Sequence, residues 1–184
     1  NKKSGAVITA YEVSEYALND KEIYALIARG DTEGIFQLES ENAKDICRRV
    51  QPHSFQDLVN ILALNRPGTM KFVELFEDKN STLENKNSKY NNHLKAFDPK
   101  GVFASTKGAI LFQEQVMEAG VKYFGIEQKD ADSFRRDLEK TAEERTFANK
   151  KECINHATKL NKDMSRNQLS NLYDSLEKFA EYGY

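Results

Sequence analysis

Two adjacent arginines, Arg135 and Arg136, stand inside the stretch DADSFRRDLEKT, residues 130–141, which reads as a helix. A guanidinium presents several donors in a fixed fork and keeps its charge at any physiological pH, so a pair of them suits a phosphate chain. Successive helical residues lie about 100° apart. One arginine can therefore flank the face that carries Phe134 and Leu138 while the other points elsewhere. From spacing alone, a solvated helix face is the simpler reading. Three further stretches hold residues able to meet a ligand. Arg66 sits in NRPG, a loop that Pro67 and Gly68 impose between two helical stretches. Gln113 and Gln115 interrupt the apolar ILFQEQVM, and a buried amide must find a partner; an exposed helix face is the plainer alternative. Gln37 and Glu39 flank Leu38 in GIFQLES, a stretch that reads as structural.

Conventional catalytic sets are missing. His53, His93 and His156 are scattered, and neither GxxxxGK[ST] nor GxGxxG is present. Carboxylates are plentiful, yet none sits among apolar neighbours as two-metal catalysis requires of acids presented from a rigid sheet. No residue is assigned a catalytic or metal-ligating role. Cys47 and Cys153 match no metal spacing and no disulfide framework, and read as ordinary thiols of a reducing compartment. Lys and Arg number 27 against 29 Asp and Glu, a net charge of −2. Affinity for nucleic acid by overall charge is therefore weak, and any phosphate contact must be local. No apolar run approaches the ~18 residues that span a bilayer, so a cytoplasmic protein with no membrane partner is expected.

The elements that must position these residues are helices. At 184 residues the chain suits one domain, read as spanning 1–184, and its 39% hydrophobic and 30% charged content points to much exposed helix. NDKEIYALIARGD is a helix that Asn19 can cap, with Glu22 closing a capping box and Gly30 ending it. TEGIFQLES alternates briefly and reads as a short extended piece. Ser40 can cap the next helix, which ends before Pro52. Ser54 and Asp57 open another, with Phe55, Leu58, Val59 and Leu62 spaced for a buried face. Asn, Lys and Ser dominate a stretch read as a mobile excursion at about 78–105. GAILFQEQVMEAGVKYFGI returns to a helical pattern between Gly108 and Gly125, followed by the arginine helix and a charged helix to about residue 160. Ser165 and Gln168 box the last helix, whose stripe is Leu169, Leu172, Leu176 and Phe179. The chain opens on NKKSG without an initiator Met, which reads as a cut end.

Taken in order, these stretches become specific. GDTEGIFQLESENAKDICRRVQPHSFQDLVNILALNRPGTM resembles the α subunit of bacterial DNA polymerase III, the C-family replicative polymerase, which has GDT–FQLES and then ALxRPGP. TKGAILFQEQVM is similar to its TYGIIxYQEQVM, ADSFRRDLEK to its AdxLRRAMGKK, and LEKFAEYGY to its LvEKFAgYGF. The landmarks run from about Asn19 to Tyr184, while 78–105 and 143–163 match poorly. The resemblance implies a mostly α-helical fingers domain with one or two short strands, lacking palm and thumb. It implies that Arg135 and Arg136, helped by Lys140, grip the β- and γ-phosphates of a dNTP. Arg66, Gly68 and Gln113 would line the nucleotide pocket. Partners would be dNTP, primer–template DNA and the remaining palm and thumb. No cofactor belongs to this chain, and Mg2+ is expected at the palm of the complete enzyme. The chain alone would be inactive: an excised domain, or a piece of a split or viral polymerase.

Departures from the family pattern bear on that clamp. Asp137 and Glu139 stand where the family has neutral residues, and one lysine is lost. At 6–8 Å and an effective dielectric near 20, each acid would cost a bound phosphate on the order of 2 kcal/mol before screening. Thr69 replaces the second proline, and Lys107 replaces the tyrosine before GII and restores positive charge. The alternative is a polymerase-derived interaction or inhibitory module that has lost nucleotide binding.

Overall fold

Polar residues just ahead of apolar runs set where the helices begin. The structure, a computed structural model, describes residues 18, 20–77 and 101–182. The expected Asn19 cap, the excursion up to residue 100 and His93 lie outside them. The chain divides into two compact units, Asn1–Asn65 and Arg66–Tyr184.

In the first unit, helix α1 (Lys21–Ala28) is capped by Asp20, whose side chain accepts the N–H groups of Glu22 and Ile23. Gly30, at φ +78°, turns the chain away. The stretch expected to be extended is instead a pair of tight turns. Ile35 N–H bonds Thr32 O and Leu38 N–H bonds Ile35 O, while the Thr32 hydroxyl donates to Leu38 O at 2.5 Å. These local bonds leave no ladder for a strand to join. Helix α2 (Glu41–Val50) has Ser40 as its cap and ends at Gln51, φ +54°. Helix α3 (Phe55–Leu64) carries the expected Ser54–Asp57 capping box. Its buried face differs from the expected one: Phe55 is exposed and Leu58, Val59 and Leu62 are half-buried, whereas Asn60, Ile61, Ala63 and Leu64 are buried. FQDLVNILAL is apolar nearly all round, so periodicity does not select a side. α1 packs on α2, and α2 on α3.

The second unit begins with a turn at 67–69, a 3-10 turn over Met70–Phe72 and helix α4 (Val73–Glu77). Then come α5 (Gln113–Phe124), α6 (Ala131–Asp137), α7 (Lys150–Leu160) and α8 (Arg166–Tyr182). The helical pattern expected from Gly108 starts only at Gln113. Lys107 and Gly108 adopt φ +54° and +86°, a left-handed reversal that no helix continues through. The charged helix expected through about residue 160 is α7, which starts only at Lys150. α5 packs on α6 and α7, and α7 on α8. One core joins Phe103, Val116, Phe124, Phe134, Leu138 and Tyr173 to Leu169, Leu172 and Leu176 of the anticipated stripe, with Phe179 at its edge. Wholly burying each of those leucines contributes roughly 2 kcal/mol before entropy is counted. The mostly α-helical class is borne out, and among the described residues there is no strand.

Candidate functional site

Close approach of two helices places the arginine pair. A Cβ on Gly120 of α5 would lie 2.6 Å from the Phe134 ring of α6, so only glycine lets that ring seat fully in the core. Phe134 then stacks on Phe124 with ring centroids 6.1 Å apart, and Phe124 meets Tyr173 edge-on at 5.9 Å. The next two residues are the arginines, and the packing separates their fates.

The Arg135 side chain is only 12% exposed. Its Nε lies 3.1 Å from Asp132 Oδ1 and its Nη1 2.6 Å from Glu139 Oε1. Arg136 is 66% exposed, with Nη2 2.6 Å from Asp132 Oδ2. One carboxylate thus serves both guanidinium groups. Arg135, with Arg136 adding, holds Asp132 below the usual carboxylate range against the upward push of burial.

Of the two acids that threatened the site, Asp137 turns inward. It is buried, and its Oδ2 accepts the N–H groups of Thr146 at 2.7 Å and Phe147 at 2.6 Å. Its Oδ1 lies 2.6 Å from Lys140 Nζ, and Lys140 remains about half exposed. Glu139 is committed to Arg135. Neither acid is presented as a lone charge.

Beyond α6 the backbone is fixed by a residue that the sequence did not single out. Arg145, nearly buried, donates to Lys140 O at 3.0 Å, Leu138 O at 3.1 Å, the Tyr173 hydroxyl at 3.0 Å and Glu177. The Tyr173 hydroxyl in turn donates to Ala148 O. These partners lie as far as 32 positions away, and an arginine in a charged run gives no local sign of them. Asp132 was equally missed, although its i,i+3 and i,i+4 spacing to the pair was visible in DADSFRR.

The other candidates occupy different elements of the same unit. Arg66 is exposed, and its carbonyl receives Thr69 and Met70 N–H groups; Gly68 lies in that turn. Gln113 is half-buried at the start of α5. Neither the Arg66 nor the Gln113 side chain makes a hydrogen bond or ion pair within the described residues. The amide that the fold needs is Gln115. It accepts from Leu111 and Phe112 N–H and donates to Val102 O and the Thr106 hydroxyl. Lys107, expected to restore positive charge, places its ammonium 5.5 Å over the Phe76 ring. Among the described residues no group of three His, Cys, Asp or Glu side chains stands close enough to hold a metal ion, and no helix is long and apolar enough to cross a membrane. Cys47 and Cys153 are buried free thiols.

The ordered motifs now meet an independent measure. Residues 2–161 match the bacterial DNA polymerase III alpha subunit finger domain. The chain belongs to that family. This finger domain is 31% identical over 173 residues to DNA polymerase III subunit alpha of Bacillus subtilis (strain 168), covering 94% of this chain and 15% of that protein. It is 33% identical over 169 residues to the Helicobacter pylori (strain 26695) subunit, covering 91% of this chain and 13% of the relative. The Treponema pallidum (strain Nichols) subunit is 29% identical over 185 residues, covering 100% and 15%. The finger domain therefore spans about 15% of the length of the relatives it matches.

Proposed function

We propose that this finger domain positions the triphosphate of an incoming dNTP, together with the templating base, for DNA synthesis against a palm supplied elsewhere. The observation that carries the reading is the exposed fork of Arg136, anchored by buried Phe134 and Asp137 on either side and followed four residues on by half-exposed Lys140. A triphosphate would displace Asp132 from Arg136, because several charge-assisted bonds to phosphate oxygens replace one to a carboxylate. Arg135, tied to Asp132 and Glu139, would then follow or stay as the backing charge. Holding the β- and γ-phosphates orients the nucleotide and offsets negative charge growing on the leaving pyrophosphate. Arg66, Gly68 and Gln113 complete the pocket in this reading. Palm carboxylates, none of which is identifiable in this sequence, would hold the Mg2+ ions that activate the primer hydroxyl. The chain alone is accordingly inactive, its partners are dNTP, primer–template DNA and the palm and thumb, and its place of work is the cytoplasm.

The occupied fork of Arg135 favours a second reading, in which the clamp has closed on its own acids and the domain serves as an interaction or inhibitory module. Calorimetric titration with dATP in Mg2+ at low salt separates the two. Arg136→Gln should weaken binding at least tenfold, the worth of a charged hydrogen bond. Asp132→Asn, which breaks the ion pair of Arg136 and leaves that of Arg135 with Glu139, should tighten it several-fold. Equal affinity in both variants and the parent would support the second reading.

A further inference from the structure

A half-open pocket of about 580 Å3 lies in the first unit, well away in sequence from α6 and bordered by Lys21, Tyr24, Arg29, Gln51, Pro52 and His53. Among the described residues no carboxylate lines it. Its size falls in the range of pockets that hold small ligands, roughly 300–1,000 Å3. Its walls are braced. The Gln51 side-chain amide donates to Ala28 O at 2.9 Å and Arg48 O at 2.7 Å, which clips the end of α1 to the end of α2. Tyr24, only 4% exposed, donates its hydroxyl to Leu18 O at 2.9 Å.

Charge collects at this end of the unit. Helix α2 begins with Glu41 and finishes with Arg48 and Arg49, and Arg48 Nε donates to Arg29 O at 3.2 Å. Acids stand nearby as well: Asp45 lies 3.5 Å from Arg49, and Asp20 and Glu22 flank Lys21 in sequence. Asp31 engages Arg29 through Nε alone, at 2.9 Å, and both side chains remain more than half exposed. Asp57 is occupied by the N–H groups of His53 and Ser54 and by the Ser54 hydroxyl. The pocket thus offers an ammonium and a guanidinium on a lining that also includes the Pro52 and His53 rings. That combination serves an anion joined to a planar ring, since cations hold phosphate and rings stack on bases.

We propose that this pocket binds one nucleotide unit of single-stranded DNA, with Lys21 and Arg29 on its phosphate and Pro52 and His53 against its base. An acidic peptide would satisfy the cations and leave the Pro52 and His53 rings unused. The site is independent of the triphosphate reading, because none of its residues lies on α6 or on the other elements of that clamp.

The test uses the intact chain with fluorescein-labelled (dT)8, dTMP and an octaglutamate peptide as probes. Anisotropy gives affinity across salt concentration, and amide shifts give location. (dT)8 should shift residues 21–29 and 51–53. Two phosphate contacts should contribute about 1.4 to the slope of log K against log salt, at ~0.7 per contact on a single strand. Lys21→Gln/Arg29→Gln should lose that part of the slope and bind at least tenfold more weakly, with an unchanged melting curve. Lys151→Gln/Lys159→Gln, a charge-matched control on α7, should bind (dT)8 as the parent does. Shifts confined to 134–140, or parental affinity in the Lys21→Gln/Arg29→Gln variant, would overturn the proposal. So would equal affinity for octaglutamate, which would mean that the pocket reads charge alone. Equal affinity for dTMP would assign the site to a free nucleotide and overturn the single-strand source.

Discussion

The carboxylate of Asp137 lies 2.6 Å from the ammonium of Lys140, one turn further along, and the two charges compensate each other at the end of α6. The same carboxylate receives the N–H groups of Thr146 and Phe147. It is therefore a staple between the arginine helix and the segment leading to α7. Burial pushes its pKa upward, but Lys140 and the two backbone N–H groups outweigh that and hold it below the ordinary carboxylate value of 3.8.

Asp137→Asn should destabilise the domain by about 2 kcal/mol, because the amide loses the charge and one acceptor while the N–H groups stay in place. The melting temperature should fall by roughly 4–8 °C. A depressed folded-state value stabilises fully above the ordinary value and is lost as pH falls through the lower one. Parental stability should therefore hold down to about pH 4 and drop below it, and the variant should show a smaller drop in acid melts.

Tyr173 governs the alkaline side. Burial pushes its hydroxyl up to about 12 from 10.0, with Arg145 pulling the other way. A raised folded-state value gives stability that is complete below pH 10 and lost as pH rises toward 12. Cys153, raised by burial from 9.0 to about 11, adds a loss that starts earlier. Tyr173→Phe should cost about 1–2 kcal/mol at neutral pH by removing the donor to Ala148 O and one of the four acceptors of Arg145. Urea titrations between pH 8 and 12 should then show a smaller fall, the part that Cys153, Cys47 and Lys44 contribute being retained.

Gln115→Leu removes one side chain that answers four groups, three of them buried. It should cost on the order of 2–4 kcal/mol, since Leu111 and Phe112 N–H and the Thr106 hydroxyl are left without it. Hydrogen exchange at Leu111 and Phe112 should accelerate, and exchange in α8 should follow only through global stability.

Gly120→Ala forces a methyl against the Phe134 ring. Overpacking of this kind costs roughly 1–3 kcal/mol. Near-ultraviolet circular dichroism should register the disturbed Phe124–Phe134 stack, and dATP affinity should fall with it because the arginines ride on the same helix.

Helix starts were legible because a cap and its box are local: Ser40, Ser54 and Ser165 each act within three residues. The Leu169–Leu172–Leu176 stripe was legible because polar residues fill the rest of that helix. α3 was not, since its apolar residues surround it and only contact with α2 decides which side is buried. GIFQLES alternates like a strand, yet the Thr32 hydroxyl and the left-handed Gln37 fold it into turns. At the site, the arginine pair was legible by type and spacing. The chain that follows it is held by Arg145, Tyr173 and Glu177, which meet only in three dimensions.

The most direct test is an amide NMR titration of the chain with dATP in Mg2+ at low salt, beside the Arg135→Ala/Arg136→Ala variant. The account predicts saturable shifts at residues 134–140 that the variant abolishes. Saturable shifts elsewhere, or shifts that persist in the variant, would contradict a triphosphate clamp on α6.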